Sequence, residues 1–362
     1  MDYKGYLKRE IEKAVFIEIG RDIPLSVGSS ETILKKGEYP ILPKDMMNIA
    51  NGSENDASGG IKLPILINGM IYLVGCDEDF KYAEKYKEFL KNTKGTISYI
   101  IKCIESNKEN DFKSALIHLN TLCSIEPKKE YLYNRVVHLM NMLEKTSLEF
   151  LEGEIVISLE KLCRENEDFP MPFYHLGEYY IDKDMDKAKI YLRKCIEFEE
   201  TRNDAADLLE RIRSVEEYDD AVEMVKAGQG ESVLKTLIVL CDNQPNNLDA
   251  KYYLAVALRQ SHQNHKALLH LKELSDNIER QEVYAEIALN LADLSDFQAA
   301  IDYFKKALKI MPDDSGIICN IGVCHLSLND ISEAEKAFAL ASRINPKDEI
   351  ATAWLERIKA LQ

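Results

Sequence analysis

The sequence predicts a mostly α-helical protein, in which an array of helix–turn–helix repeats follows a small α+β domain over residues 1–95. Three observations support this prediction. The rear of the chain repeats every 34 residues. The front lacks that period and contains short β-like runs. The front is also nearly neutral, with 14 basic and 15 acidic side chains, whereas the rest of the chain carries 32 and 47. A fixed period of this length is typical of folds built by stacking one supersecondary unit.

Two segments near the C-terminus show the period most clearly. Residues 315–348 align with residues 281–314 over 34 positions without a gap. Matched positions hold residues of the same kind: Ile321 on Ile287, Ala334 on Ala300, Phe338 on Phe304, Ala341 on Ala307 and Pro346 on Pro312. The small residues let two helices approach closely. The proline ends the second helix, because it cannot donate a backbone hydrogen bond.

This pattern resembles that of the tetratricopeptide repeat (TPR) family, whose unit is a helix–turn–helix of 34 residues. The resemblance covers roughly residues 96–362 and implies a TPR-type α-solenoid, a right-handed superhelix of helix pairs. The unit at 130–169 is about six residues longer than the period, and the pattern also departs from the period at 203–213. These two departures leave open whether the superhelix is continuous. About seven units and a capping helix are predicted: 96–129, 130–169, 170–203, 214–247, 248–280, 281–314 and 315–348, then 349–362.

The first 95 residues do not share the period, and their pattern identifies no family. Their strongest local signal is the pair Asn68-Gly69 between two apolar runs. An Asn-Gly pair favours a type I′ turn, in which both central residues need a positive φ. The sequence therefore predicts a β-hairpin over residues 63–74. The polar segment 51–60 is predicted to be a loop.

The sequence offers no constellation for catalysis. It contains no P-loop, no G-x-S-x-G and no H-E-x-x-H motif. His262, His265 and His270 lie close together, but no cysteine or carboxylate stands at a matching ligand spacing, so surface histidines are favoured over a zinc site. The eight cysteines form no C-x-x-C pair and are expected to be reduced and buried. We predict no catalytic residue, no metal and no cofactor.

Charge and hydropathy limit the partners. The net charge of −16 argues against nucleic acid and anionic membranes, since phosphate binding depends on Lys and Arg. The sequence has no apolar run of 18 residues, so no membrane insertion is expected, and its N-terminus lacks the apolar stretch of a signal peptide. These features favour the cytoplasm and a protein or peptide partner that is basic or neutral. They say nothing about oligomeric state.

The TPR resemblance implies that chosen positions on the first helix of each unit line a concave peptide-binding groove. The best-known groove of the family is a basic clamp for a C-terminal carboxylate, whereas this one has Arg259 alone, so acidic peptide ends are not expected to bind. The alternative is that these polar residues only keep the face soluble. The groove residues carried over are Asp249, Tyr252, Tyr253, Val256, Arg259, Gln260, Glu282, Glu286, Leu289, Asp293, Asn320, Val323 and Ser327.

Three functions remain open at this stage. The favoured one is a non-catalytic adaptor, whose first 95 residues tether, dimerise or add a second site. The second is a regulatory or substrate-recruiting TPR array attached to a catalytic or ligand-binding N-terminal domain, although residues 1–95 show no titratable cluster. The third is a peptide-sensing transcription regulator. It ranks last, because the front contains β-like runs and no excess of basic residues.

Overall fold

A computed structural model describes residues 2–27, 30–50, 61–347 and 349–361. The protein is mostly helical and built from helix pairs, with a small β region near its N-terminus, which confirms the predicted fold class. Two compact units are present, Met1–Leu209 and Glu210–Gln362, and each is described by itself. The loop predicted at 51–60 lies outside the described residues.

The first unit opens with short elements. Helix α1 (Tyr3–Lys8) precedes a 3₁₀ turn, and helix α2 (Pro43–Ala50) follows the strands. The four strands are β1 (Val15–Ile19), β2 (Ile23–Val27), β3 (Ser30–Leu34) and β4 (Gly37–Ile41). Strand β1 pairs antiparallel with β4, and β2 pairs antiparallel with β3, so the β2–β3 pair lies between β1 and β4 in the sequence.

The β-hairpin predicted over 63–74 is wrong, because this segment is helix α3 (Leu63–Cys76). The run is apolar almost throughout, and periodicity cannot distinguish a fully buried helix from a pair of apolar strands. Pro64 lies in the first turn of the helix, where its missing N–H costs nothing. Gly69 is needed for the close approach of α3 to β4 and not for a turn, since a Cβ at Gly69 would lie 2.2 Å from the carbonyl oxygen of Pro40.

No compact boundary falls at residue 95. Ile100, Leu122 and Ile125 share one hydrophobic core with Met70 and Tyr86 of the front segment. The first unit therefore joins the β region to the first helix pairs. Its further helices are α4 (Ala83–Asn92), α5 (Thr96–Asn107), α6 (Phe112–Ile125), α7 (Lys129–Thr146), α8 (Phe150–Glu165), α9 (Pro170–Tyr180) and α10 (Met185–Cys195), and the division into units falls within α11 (Arg202–Lys226).

Helix pairs make up the second unit, and small residues lie where their helices cross. Ala288, Ala300 and Ala307 are fully buried around Phe304. Asp296 accepts a hydrogen bond from the backbone N–H of Ala299 and so caps the N-terminus of its helix. The helices are α12 (Gly230–Asn243), α13 (Leu248–Gln260), α14 (Asn264–Asn277), α15 (Gln281–Asp293), α16 (Phe297–Ile310), α17 (Ser315–Ser327), α18 (Ile331–Ile344) and α19 (Glu349–Leu361).

The last helix covers the core of the final pair. Trp354 of α19 stacks on Phe338 of α18, with ring centroids 5.9 Å apart and planes tilted by 11°. Ala351 and Ile358 of α19 are buried in the same cluster. All eight cysteines lie among the described residues; each has a free thiol, and seven are buried.

The contact between α3 and α6 can be tested at Gly75. A Cβ at this position would lie 2.0 Å from the carbonyl oxygen of Ile117, so Gly75→Ala should lower the free energy of unfolding by about 1–3 kcal/mol. Gly153 on α8 has no neighbouring atom within 4 Å of such a Cβ, so Gly153→Ala should instead raise stability by up to ~1 kcal/mol. Urea unfolding measures both. Wild-type stability for Gly75→Ala would contradict the packing of α3 on α6.

Candidate functional site

Four of the predicted groove residues lie around one open pocket of about 450 Å³ in the second unit. Asp249, Tyr252 and Tyr253 stand at i, i+3 and i+4 on α13, which places them on one helix face. Glu282 joins them from the first turn of α15. We call this cavity the tyrosine pocket; its lining residues are Tyr218, Asp219, Val222, Asp249, Tyr252, Tyr253, Arg280, Glu282 and Val283.

Aromatic rings form the walls of the tyrosine pocket. Tyr252 and Tyr253 meet edge to face at 5.3 Å between centroids, and Tyr253 meets Tyr218 in the same way at 6.4 Å. Burial, and then the charge of Asp249, raises the pKa of Tyr218 to about 12. Burial also raises the pKa of Tyr252, with a further contribution from the Glu286 and Glu282 carboxylates. Both hydroxyl groups are therefore protonated at neutral pH and can donate hydrogen bonds.

Charge in the pocket is mainly negative, with three carboxylates against one guanidinium. Arg280 Nη1 lies 2.5 Å from Asp249 Oδ1, and both side chains are about half exposed. The hydrogen bond and charge of Asp249 raise the pKa of Arg280. Asp219 and Glu282 are exposed and form no hydrogen bond or ion pair through their side chains with any residue that the structure describes. Two carboxylates of the pocket are thus available to a ligand.

Arg259 and Glu286 form an ion pair next to Tyr252. Arg259 Nε lies 2.5 Å from Glu286 Oε1, and Nη2 lies 3.4 Å from Oε2. The Glu286 side chain is only 5% exposed. Burial lowers the pKa of Arg259, but the hydrogen bond and charge of Glu286 raise it more, so the net change is upward. The one cation of the predicted groove is therefore neutralised by a partner within the chain.

Other predicted groove residues hold the fold together. Gln260 accepts a hydrogen bond from the backbone N–H of Gly230 at 2.7 Å and donates one to the carbonyl of Val225 at 2.8 Å. Asp293 accepts a hydrogen bond from Asn264 at 3.2 Å. Both side chains therefore connect neighbouring helices, and both the oxygen and the nitrogen of the Gln260 amide are engaged within the chain.

The rest of the predicted groove lies outside the tyrosine pocket. Val256 is buried and Leu289 is half-buried. On α17, Asn320 is half-buried, whereas Val323 and Ser327 are exposed. Of the predicted groove, the structure thus brings together Asp249, Tyr252 and Tyr253 of α13 with Glu282 at the start of α15.

Sequence reasoning missed five residues of the pocket. Tyr218, Asp219 and Val222 belong to α11, where the repeat pattern is weak. Arg280 is the N-cap residue of α15 and so precedes the helical positions that line the groove in the TPR pattern. Val283 was missed because it lies at a core position of α15 and is almost fully buried. For Tyr218 and Asp219, continuing the 34-residue period backwards from Tyr252 and Tyr253 is the signal that could have found them.

Two further properties concern the described residues as a set. Among them, no helix combines the length and the hydrophobicity that crossing a membrane requires. No group of three or more His, Cys, Asp or Glu side chains in the described ranges is arranged to hold a metal ion.

Models of the tetratricopeptide repeat match residues 173–202 and 291–355 of this sequence. The chain contains tetratricopeptide repeats. The TPR match at 291–355 covers the end of α15 through the first half of α19, and the match at 173–202 covers most of α9 and all of α10. The resemblance predicted from the 34-residue period is therefore confirmed.

Similar proteins include one curated relative and several solved TPR structures. Protein O-mannosyl-transferase TMTC3 of Mus musculus is 28% identical over 121 residues, which is 32% of this chain and 12% of the mouse protein. The match thus spans about one-eighth of that relative's length. The structure of YrrB, described as a TPR protein with an unusual peptide-binding site, is 18% identical and covers 55% of this chain and 97% of its own, with a TM-score of 0.36. MamA from Desulfovibrio magneticus RS-1 is 14% identical, and the match covers 50% of this chain and 97% of the MamA chain, with a TM-score of 0.35.

The Arg259–Glu286 pair yields a stability prediction. Glu286→Gln removes the negative charge from a buried position and leaves the Arg259 guanidinium, which is 23% exposed, without its hydrogen-bonded counter-charge, so the free energy of unfolding should fall by about 1–3 kcal/mol. Asp249→Asn breaks an exposed pair and should cost less than about 1 kcal/mol. Urea unfolding compares the two variants. Equal losses would show that the Arg259–Glu286 pair is not the stronger interaction.

Proposed function

We propose that this chain is a non-catalytic scaffold that binds a basic or neutral peptide segment of a partner protein on one face of its second unit. This face, which we call the first-helix face, consists of the pocket-lining residues of α11, α13 and α15. One observation carries the proposal: side chains from three successive helix pairs converge on the tyrosine pocket, and two of its carboxylates are unengaged among the described residues. Repeat arrays commonly bind partners along such extended surfaces.

The chemistry of the first-helix face suits a peptide. An extended peptide presents backbone N–H and C=O groups that lose hydrogen bonds to water on binding. Tyrosine hydroxyls can donate to its carbonyls, and carboxylates can accept from its amides. The rings of Tyr218, Tyr252 and Tyr253 supply apolar area next to these polar groups.

Electrostatics supports the choice of a basic or neutral partner. The net charge of −16 favours encounter with positively charged segments. A peptide that ends in a free carboxylate would meet Asp219, Asp249 and Glu282. The guanidinium groups nearby, Arg259 and Arg280, are each paired with a carboxylate of this chain. Repulsion by the three carboxylates and the pairing of both guanidinium groups disfavour such a ligand.

A peptide array tests this proposal. Twelve-residue peptides of graded net charge, each with a free or an amidated C-terminus, are probed with the labelled full chain at low and high salt. Basic and neutral peptides should be retained, retention of the basic ones should fall with salt, and amidation should not weaken any of them. Preferential binding of acidic peptides with free carboxylates, or the retention of no peptide at all, would contradict the proposal.

Charge reversal on the first-helix face should weaken this binding. Glu282→Lys places a cation in the tyrosine pocket and should lower the affinity for a retained basic peptide about tenfold, which is about 1.4 kcal/mol. Asp302→Lys, at an exposed position on α16, makes the same change of net charge outside the pocket and serves as the control. Fluorescence anisotropy measures both. Similar losses in the two variants would mean that the chain attracts basic peptides by its overall charge alone.

A further inference from the structure

The tyrosine pocket holds positive charge from its own chain. The Arg280 guanidinium lies on Asp249, with Nη1 2.5 Å from Oδ1. The ammonium group of Lys226 lies 5.8 Å from the centroid of the Tyr253 ring. Arg280 thus lines the cavity, whereas Lys226 lies beside the ring of Tyr253 and is not one of the lining residues. The pocket is complementary to the side-chain groups of arginine and lysine.

Part of this complementarity is left unused. Asp219 and Glu282 line the pocket, are exposed, and form no ion pair or side-chain hydrogen bond with any described residue. They come from different helices, α11 and α15, so the cavity carries unengaged negative charge from both of these helices. Tyr252 lines the same cavity, and an aromatic ring adds an attraction for cations.

Other ligand classes fit the pocket less well. An anion would face three carboxylates and a guanidinium that is already paired. A metal ion is disfavoured, because the described residues place no three ligating side chains around one point. A neutral apolar side chain could contact the tyrosines but would remove water from Asp219 and Glu282 without replacing its hydrogen bonds. The volume of about 450 Å³ accommodates a long side chain.

We propose that the tyrosine pocket is a specificity subsite for the side-chain cation of an arginine or lysine in the bound peptide. In this arrangement Asp219 and Glu282 receive the cation, and Arg280 restricts the subsite by occupying Asp249. The subsite rests on the proposed function, since a peptide must bind on the first-helix face for its side chain to enter the pocket. It adds a sequence requirement, because one residue of the peptide must be arginine or lysine.

The test uses the full chain and three fluorescein-labelled probes: hexa-arginine, hexalysine and a hexapeptide of alternating serine and alanine. Asp219→Asn and Glu282→Gln should each weaken the binding of a cationic probe about fivefold in fluorescence anisotropy. Asp302→Asn on α16 removes the same charge outside the pocket and should change the affinity by less than about twofold. All three positions are exposed, so folding should be unaffected.

Arg280 provides a test in the opposite direction. Arg280→Gln frees Asp249 and should raise the affinity for the cationic probes about two- to fivefold. Arg343→Gln on α18 removes the same charge at an exposed position outside the pocket and controls for the change in net charge. A gain for Arg280→Gln that exceeds the gain for its control supports the restricting role.

The outcomes separate this subsite from the wider proposal. If cationic probes bind but Asp219→Asn and Glu282→Gln behave like Asp302→Asn, the subsite is wrong while peptide binding stands. If the serine–alanine probe binds as tightly as the cationic probes, the requirement for arginine or lysine is wrong. If neither these probes nor the peptide array shows binding, both proposals fail. Preference for hexa-arginine over hexalysine, or the reverse, supports the subsite and identifies the group it takes.

Discussion

The close approach of the two helices in each pair is the constraint on which the rest of the second unit depends. It requires a small residue wherever the helices cross. A Cβ at Gly322 of α17 would lie 2.8 Å from the ring of Phe338 on α18, so this ring occupies the space that a larger side chain would need. Ala288 and Ala300 meet the same need between α15 and α16. Because interiors are packed almost without voids, each pair becomes a rigid block with one fixed geometry.

The fixed geometry of each helix pair determines how the neighbouring pair packs against it and which side chains come together. At the first residue of α12, a Cβ at Gly230 would lie 2.6 Å from the Cα of Ala257, which sets the approach of α12 to α13. Gln260 fastens this contact through hydrogen bonds to Gly230 and Val225. The register of α11 and α13 follows from it, and that register brings Tyr218 next to Tyr253. The tyrosine pocket is therefore a consequence of how the pairs stack.

The sequence predicted the repeats because their physical requirements fall at fixed positions. Ala300, Phe304 and Pro312 recur 34 residues later as Ala334, Phe338 and Pro346, and each residue type has a direct packing or helix-ending role. These signals depend only on spacing along the chain, so no knowledge of the three-dimensional structure is needed to find them. The same spacing picked out Asp249, Tyr252 and Tyr253 on α13, which line the tyrosine pocket.

Features that depend on distant contacts were not predictable in this way. The apolar run at 63–76 forms a helix because β4 and α6 cover it, which its own pattern cannot show. The pairing of Arg259 with Glu286 spans 27 residues, and from the sequence both looked like free groove residues. Arg280 reaches back 31 residues to Asp249. Contacts between neighbouring helix pairs of the second unit, rather than local sequence preference, decide which charged side chains remain free for a ligand.

A crystal structure of the full chain with hexa-arginine would test the account most directly, because it shows where a peptide cation binds. The account predicts a guanidinium of the peptide in the tyrosine pocket, within about 4 Å of the carboxylate of Asp219 or Glu282. Hexa-arginine bound instead on the second helices of the pairs, for example beside Asp302 on α16, with the tyrosine pocket empty, would contradict it.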